Sequence, residues 1–362
     1  MSDLKNKLVS IKPRETAGSR SSNRFDYQQD YAIFCLLDLH TKGEDYRILL
    51  DYHDDIVILF PSDNPEDLHF YQVKTDKTSN WTIRRLTYKA ESSDLSILAK
   101  LFLNASNFPE NTRSLNFISN ARFNVKLVTG EGLKQDTIVL NNLTGKGLEQ
   151  IRNSLKEQIN FEVDESLLKH SHLKVSELSI KGHENQILGK LQQFLFERFG
   201  QSDLPGQTLL KTLKSHIWRK QNNESENLSF DDLCKNKSIC KVEFDHMLDS
   251  VVFKKKFQEL WSEISGQLQR ENLGYQDIII YKQQCETYLV ERIDQLNETI
   301  QNVRKNVIKF LANKVNQGDT LKETVDKACH ALLDDLNKIT EIKDSKFFEA
   351  MVLVEIYNDE KR

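Results

Sequence analysis

The sequence predicts an α/β domain, a mixed sheet flanked by helices, over residues 1–205, followed by a mainly α-helical domain over residues 206–362. Three observations lead there. Residues 46–75, YRILLDYHDDIVILFPSDNPEDLHFYQVKT, hold two or three strongly β-forming runs separated by a Pro/Asn/Asp turn. Helical and strand patterns then alternate on either side of that stretch, the order expected of a sheet covered by helices. From Gln207 onward the pattern is almost wholly helical, with Asp203, Pro205 and Gly206 marking the best linker in the chain. At 362 residues the chain is long enough for two domains that each bury a core.

The elements follow in order. Residues 1–22 are polar and read as a loop or arm. A helix is predicted from Asn23, an N-cap residue type, with Asp26 in the first turn where a carboxylate favours the helix dipole. Phe25, Ala32, Cys35, Leu36 and Leu39 form its apolar face; Gln28 falls on that side, and Gln29 turns further from it. An amide on the core side needs a hydrogen-bond partner, and backbone is the plainest one. After the strands of residues 46–75, Lys77, Arg84, Arg85 and Lys89 interleave with Trp81 and Tyr88. That composition suits a phosphate backbone, and equally a solvated loop and helix start. A helix is predicted from Ser93, with Leu95, Leu98, Leu101 and Phe102 on one face, then strands at SLNFIS and FNVKLV. TIVLNNL reads as a strand or a helix lead-in, LEQIRNSLKEQI as an amphipathic helix, HLKVSELSI as a strand, and HENQILGKLQQFLFERF as a helix stopped by Gly200. In the second domain Leu289, Ile293, Leu296, Ile300, Val303, Val307 and Phe310 alternate by four and three, a stripe that packs on a neighbouring helix or on another chain.

Composition excludes several classes. The net charge of −4 is split evenly about Pro205, so there is no basic excess. A DNA substrate would therefore need a positive surface that is local, built by oligomerisation, or supplied by a partner. No apolar run of about 18 residues and no signal-peptide pattern is present, which predicts a cytoplasmic protein with no membrane partner. The five cysteines are scattered and odd in number, as reduced structural thiols are. Cys234 and Cys240, with only His246 near, lack zinc spacing, and His170, His172 and His183 follow no ligand pattern. No Gly-rich phosphate loop, Ser/His/Asp arrangement or fixed-period repeat occurs.

The candidate chemistry lies in the β-rich stretch. Asp54 and Asp55 open the run IVILF, while Gln72 and Lys74 close the run LHFYQVK. Strand side chains alternate, so Gln72 and Lys74 share a face and Val73 takes the other. A hairpin closed around Pro61–Asp67 would bring them back beside the acids. An acid and an amide oxygen can hold a hard divalent cation, and a lysine can hold an attacking water or the charge developing on a phosphate. Charges near strand ends usually sit in solvent, and an edge lysine guards against aggregation. Here, however, Lys74 and Gln72 end an otherwise apolar and aromatic run, where propensity gives no reason for either.

Asp55, followed across a short hairpin by Gln72 and Lys74, resembles the D…(E/Q)xK signature of the PD-(D/E)xK nuclease superfamily in its QxK form. The words YHDD and FYQVKT, with PRETAG…RFDYQQDYAI before them, are similar to the effector nuclease domain associated with CD-NTases in bacterial anti-phage immunity. That domain also occurs in Lamassu effector nucleases and in effectors partnered with HerA-type ATPases. The resemblance runs from residue 13 to 130 and fades beyond. It implies a restriction-endonuclease-like fold and a Mg²⁺-dependent DNA endonuclease. Asp55 would be the main metal ligand, with Asp54 kept as its alternative because IVILF is apolar on both faces. Gln72 would be the second ligand and Lys74 the residue that positions water and stabilises the phosphate. Gln28, from the first helix, would orient the water or the lysine, and Lys77, Arg84, Arg85 and Lys89 would meet DNA. Gln in place of Glu removes one negative charge, which implies weaker metal binding and makes Mn²⁺ a candidate beside Mg²⁺. The resemblance points to an SMC-like ATPase complex as first partner and a HerA-type ATPase as second. Cutting both strands takes two sites, so the active form is expected to be a homo-oligomer. A reading of a different class keeps the fold without catalysis and makes the helical half an interaction module that docks on a partner.

Overall fold

The computed structural model describes residues 3–11, 22–76, 79–91, 93–201, 203–225, 229–314 and 319–358. Helices α1 (Asp3–Ser10) and α2 (Ser22–Thr41) precede strands β1 (Arg47–Tyr52), β2 (Asp54–Phe60) and β3 (Asp67–Lys74). Helices α3 (Ile83–Thr87) and α4 (Ile97–Asn107) lead into β4 (Thr112–Ser119), a short ladder of β5 (Lys126–Leu127) with β6 (Gly130–Glu131), and β7 (Thr137–Val139). Then come α5 (Gly145–Ile159), α6 (Glu165–Lys169), β8 (Ser171–Val175), α7 (His183–Phe199), α8 (Gly206–Gln221), α9 (Phe230–Lys237) and β9 (Ser238–Cys240). Seven strands form one sheet in the order β7-β8-β4-β3-β2-β1-β9, with β3, β4 and β8 parallel and the other neighbours antiparallel. This is the mixed sheet flanked by helices that the sequence predicts.

Strands β1 and β2 are largely apolar on both faces because both are covered. Val57, Leu59, Phe70, Leu115 and Phe117 pack in one core with Leu98, Leu101 and Phe102 of α4 and Leu155 of α5. On the opposite face α2 packs against β3. That helix is buried nearly all round, so its polar residues are ordered too: Gln29 is the more buried of the glutamine pair and donates to Gln221 Oε1 at 3.2 Å. The expected helix from Ser93 begins instead at Ile97, because Ser96 is the N-cap and accepts from Ala99 N–H. The run FNVKLV contributes only the two-residue strand β5. A third difference is β9, a strand inside the stretch read as wholly helical; it pairs with β1 and extends the sheet edge.

The chain divides into two compact units, Met1–Phe194 with Leu213–Lys241, and Leu195–Thr212 with Val242–Arg362. The single boundary expected at 205 gives way to three crossings, because the segment carrying β9 returns to the sheet. The second unit contains α10 (Lys241–Arg270), α11 (Tyr275–Glu291), α12 (Glu298–Lys314), α13 (Leu321–Ala331), α14 (Leu333–Thr340) and α15 (Ser345–Ile356). Helix α15, SKFFEAMVLVEI, is apolar almost all round and forms its centre. The heptad stripe is split between α11 and α12, and Leu289, Ile300, Val303 and Val307 are buried in that core. It packs on neighbouring helices of its own unit. Among the described residues no helix is long and apolar enough to cross a membrane.

Candidate active site

The β1–β2 turn sets the site. Asp51 and His53 both have positive φ, 51° and 66°, an unusual backbone for residues other than glycine. The His53 ring is braced by Nε2 at 2.9 Å from the Leu8 carbonyl and by an edge contact with Phe108. Two residues later Asp55 enters β2, where the register Ile56↔Tyr71 puts it across from Gln72.

The structure brings Asp55, Gln72, Lys74 and Gln28 together. Asp55 Oδ2 accepts from Gln72 Nε2 at 2.9 Å and from Val73 N–H at 2.7 Å, and Lys74 Nζ lies 3.5 Å away. Gln28 Nε2 donates to the Val73 carbonyl at 3.2 Å, so α2 grips the residue between Gln72 and Lys74. Its partner is backbone, and that backbone belongs to the site.

Asp54 is not part of this group. Its carboxylate is engaged elsewhere: Oδ1 accepts from Asp55 N–H at 2.9 Å and Oδ2 from Asn104 Nδ2 at 2.7 Å. The two acids take different partners, and a polar position in helix α4, Asn104, holds Asp54. As the alternative to Asp55, Asp54 is already committed to these donors.

Gln72 and Lys74 open on a cleft of 630 Å³ whose walls include Trp81, Arg84, Arg85, Tyr88 and Lys100. Arg84 is exposed on that wall. Arg85 lines it too but serves the loop: it pairs with Asp76 Oδ2 at 2.5 Å, donates to Ser79 Oγ and the Asn80 carbonyl, and lies 4.3 Å over the Trp81 ring. Trp81 Nε1 in turn donates to Ser119 Oγ at 2.8 Å. Lys89 is exposed and does not line the cleft, and Lys77 lies outside the described residues. Sequence reasoning missed Lys100 and Asn104. Their signal was present, two polar residues one turn apart in the otherwise apolar run ILAKLFLNA of α4.

The oxygen donors available to a cation are the Asp55 carboxylate, the Gln72 amide oxygen and the Val73 carbonyl. Among the described residues there is no cluster of three or more His, Cys, Asp or Glu. One carboxylate with neutral oxygens fits a hard cation that keeps much of its water, as Mg²⁺ does. Gln72 turns its NH₂ to Asp55 here, and a rotation of the amide presents its oxygen instead.

A mixed sheet that sets an acid, an amide and a lysine on adjoining antiparallel strands at the edge of a cleft defines a PD-(D/E)xK-type nuclease. The family model for the Cap4 dsDNA endonuclease domain matches residues 16–221, more than half of the chain, and the chain belongs to that family. It is similar to Lamassu protein LmuA of Bacillus cereus (strain VD014), 23% identical over 320 residues that cover 87% of this chain and 86% of that protein. No solved structure matches it significantly.

Proposed function

We propose that the chain is a Mg²⁺-dependent DNA endonuclease, with Mn²⁺ able to substitute, acting on duplex DNA as the effector of a Lamassu-like anti-phage system. The observation that carries this reading is the grouping on Asp55 Oδ2 of Gln72, Val73 N–H and Lys74 beside an open cleft with basic walls. Asp55, Gln72 and the Val73 carbonyl would hold the metal. When bound, the metal supplies Lewis-acid charge and a more acidic water.

The chain's own residues do the rest. Arg84 and Lys100 hold the DNA backbone along the cleft, so that one phosphate lies over Gln72 and Lys74. Water adds to phosphorus as the bond to the leaving oxygen breaks, and negative charge builds on the non-bridging oxygens. The Lys74 ammonium at the cleft floor stabilises that charge. Gln28 fixes the Val73 peptide, and through it the positions of Gln72 and Lys74. Asn104 and Asp54 hold the start of β2, so Asp55 enters the site in one orientation.

Activity is expected to be controlled by assembly. The chain has no overall basic excess, and two sites must act together to cut both strands, so the active form is a homodimer or larger. The helical unit holds that form together, or holds it apart until a partner releases it. An SMC-like ATPase complex is the first choice of partner and a HerA-type ATPase the second. The test is cleavage of plasmid DNA by the purified chain, alone and with the products of its neighbouring genes, in Mg²⁺, Mn²⁺ and EDTA. Cleavage that needs the metal and disappears in Asp55→Ala and Lys74→Ala supports the site. Cleavage that survives both substitutions overturns it, and phage protection that persists in both without any cleavage favours an interaction module.

A further inference from the structure

The sheet carries a second polar surface, on the face opposite Gln72 and Lys74. There a cavity of 740 Å³ is floored by alternate residues of three adjacent strands: His69 and Tyr71 of β3, Ser114 and Asn116 of β4, and His172 and Lys174 of β8. The register sets Tyr71, Asn116 and His172 in one row across the strands. An open sheet face ordinarily carries polar side chains that water satisfies. Ser114 and Asn116, however, are buried, at 7% and 1% exposure.

Their hydrogen bonds decide where the protons lie. Asn116 Nδ2 donates to Ser114 Oγ at 2.8 Å, and the Ser114 hydroxyl can then donate to His69 Nδ1, also at 2.8 Å. That leaves the His69 proton on Nε2. His172 Nδ1 is buried without a hydrogen-bond partner among the described residues, so its proton too belongs on Nε2. Burial lowers both rings below the ordinary histidine range, His172 to about 4, and both are neutral near pH 7. Lys174 crosses over β4 to lie 5.9 Å from the Tyr71 ring centroid. Among the described residues it makes no salt bridge. Most of the nearby acids have other partners: Asp164 caps α6 through Leu167 N–H, Glu162 pairs with Lys156, Asp67 with Arg113, Asp38 with Lys42 and Glu177 with Lys190, while Glu44 lines the adjoining groove.

An ammonium and two imidazole N–H groups thus line one cavity whose two carboxylates, Glu162 and Asp164, are held by other partners. We propose that this cavity binds a phosphate-bearing small molecule, with Lys174 as the charged anchor and His69 and His172 donating to the phosphate oxygens. Its volume admits a nucleotide. The proposal stands independently of the nuclease reading, because it concerns the other face of the sheet and its test needs no cleavage.

The test is thermal melting of the full chain at constant ionic strength with inorganic phosphate and, separately, with AMP. A saturable rise in Tm is expected, equal in wild type and Asp55→Ala. Lys174→Met should weaken the apparent affinity about tenfold or more, the loss of one charge-assisted hydrogen bond. His172→Phe is the second variant, expected to weaken binding in the same direction should Lys174→Met melt too low to read. A larger shift with AMP assigns a nucleotide, and equal shifts assign free phosphate. No saturable shift with either probe overturns the proposal. So does a shift that keeps wild-type strength in both variants, and if that shift is lost in Arg84→Ala the phosphate belongs to the DNA cleft.

Discussion

Glu355 in the helical unit and Asp55 in the sheet unit are both carboxylates beside cations, in opposite surroundings. Glu355 is fully buried; one oxygen accepts from Tyr288 at 2.7 Å and from Arg292 and Arg304 at 3.1 Å each, and the other from Asn358 at 2.7 Å. Among the described residues Asp55 has its partners on Oδ2, with Lys74 at 3.5 Å, and it borders a cleft of 630 Å³ lined by Gln72 and Lys74. A carboxylate with both oxygens filled and no path to solvent can only hold helices together. One with an oxygen to spare beside a lysine can take a cation and a phosphate. The difference lies in saturation and access, since the residue types are nearly the same.

The largest effects should divide along that line. Asp55→Ala should take DNA cleavage to background, and Lys74→Ala should lower it by about 10²–10³, with melting temperature little changed in either. Glu355→Ala should do the reverse. It leaves two guanidinium groups without their shared acceptor, costs about 3–5 kcal/mol, and lowers the midpoint of the helical unit in a denaturant titration.

The acid dependence of that unit follows with a definite sign. Burial pushes the Glu355 carboxyl up, but Arg292, Arg304 and the Tyr288 and Asn358 hydrogen bonds outweigh it and hold it below the usual range. Its contribution is complete above the unfolded value of about 4.3 and is lost as pH falls through the lower folded value. Glu355→Gln should flatten this part of the stability profile. A profile unchanged by the substitution would remove Glu355 as its cause.

Smaller effects test the supports of the site. Asn104→Ala, which removes the Asn104 donor from Asp54 Oδ2, should weaken the metal dependence of cleavage about tenfold while melting moves little, as loss of an outer-shell partner does. Arg84→Ala should weaken DNA binding evenly across sequences and reduce the slope of log affinity against log salt by about one. A salt slope unchanged in that variant would take Arg84 off the backbone contact.

Much of the site was legible in residues 46–75 because strand alternation and a turn of fixed place are local properties. They put Gln72 and Lys74 on one face and brought them back to the acids. The choice between Asp54 and Asp55 was not legible, since IVILF is apolar on both faces and only the register with β3 and the reach of Asn104 decide it. Gln28 was found through the resemblance, but Gln29 proved the more buried because α2 is covered on nearly every side. Strand β9 escaped because three residues between two helices carry no periodicity, and its pairing with β1 is a tertiary event. The heptad stripe reads the same whether it is one helix or two; the break between α11 and α12 lies in the polar residues around Asp294 and Asn297.

The most direct measurement is a divalent-ion titration of duplex cleavage by wild type, Gln72→Glu and Glu355→Gln, assembled with whatever partner activates the chain. If Asp55 and Gln72 hold the metal, restoring a carboxylate at 72 lowers the Mg²⁺ midpoint, while Glu355→Gln leaves it where it was. Cleavage indifferent to Mg²⁺ and Mn²⁺, or a midpoint that Gln72→Glu does not move, would contradict the account.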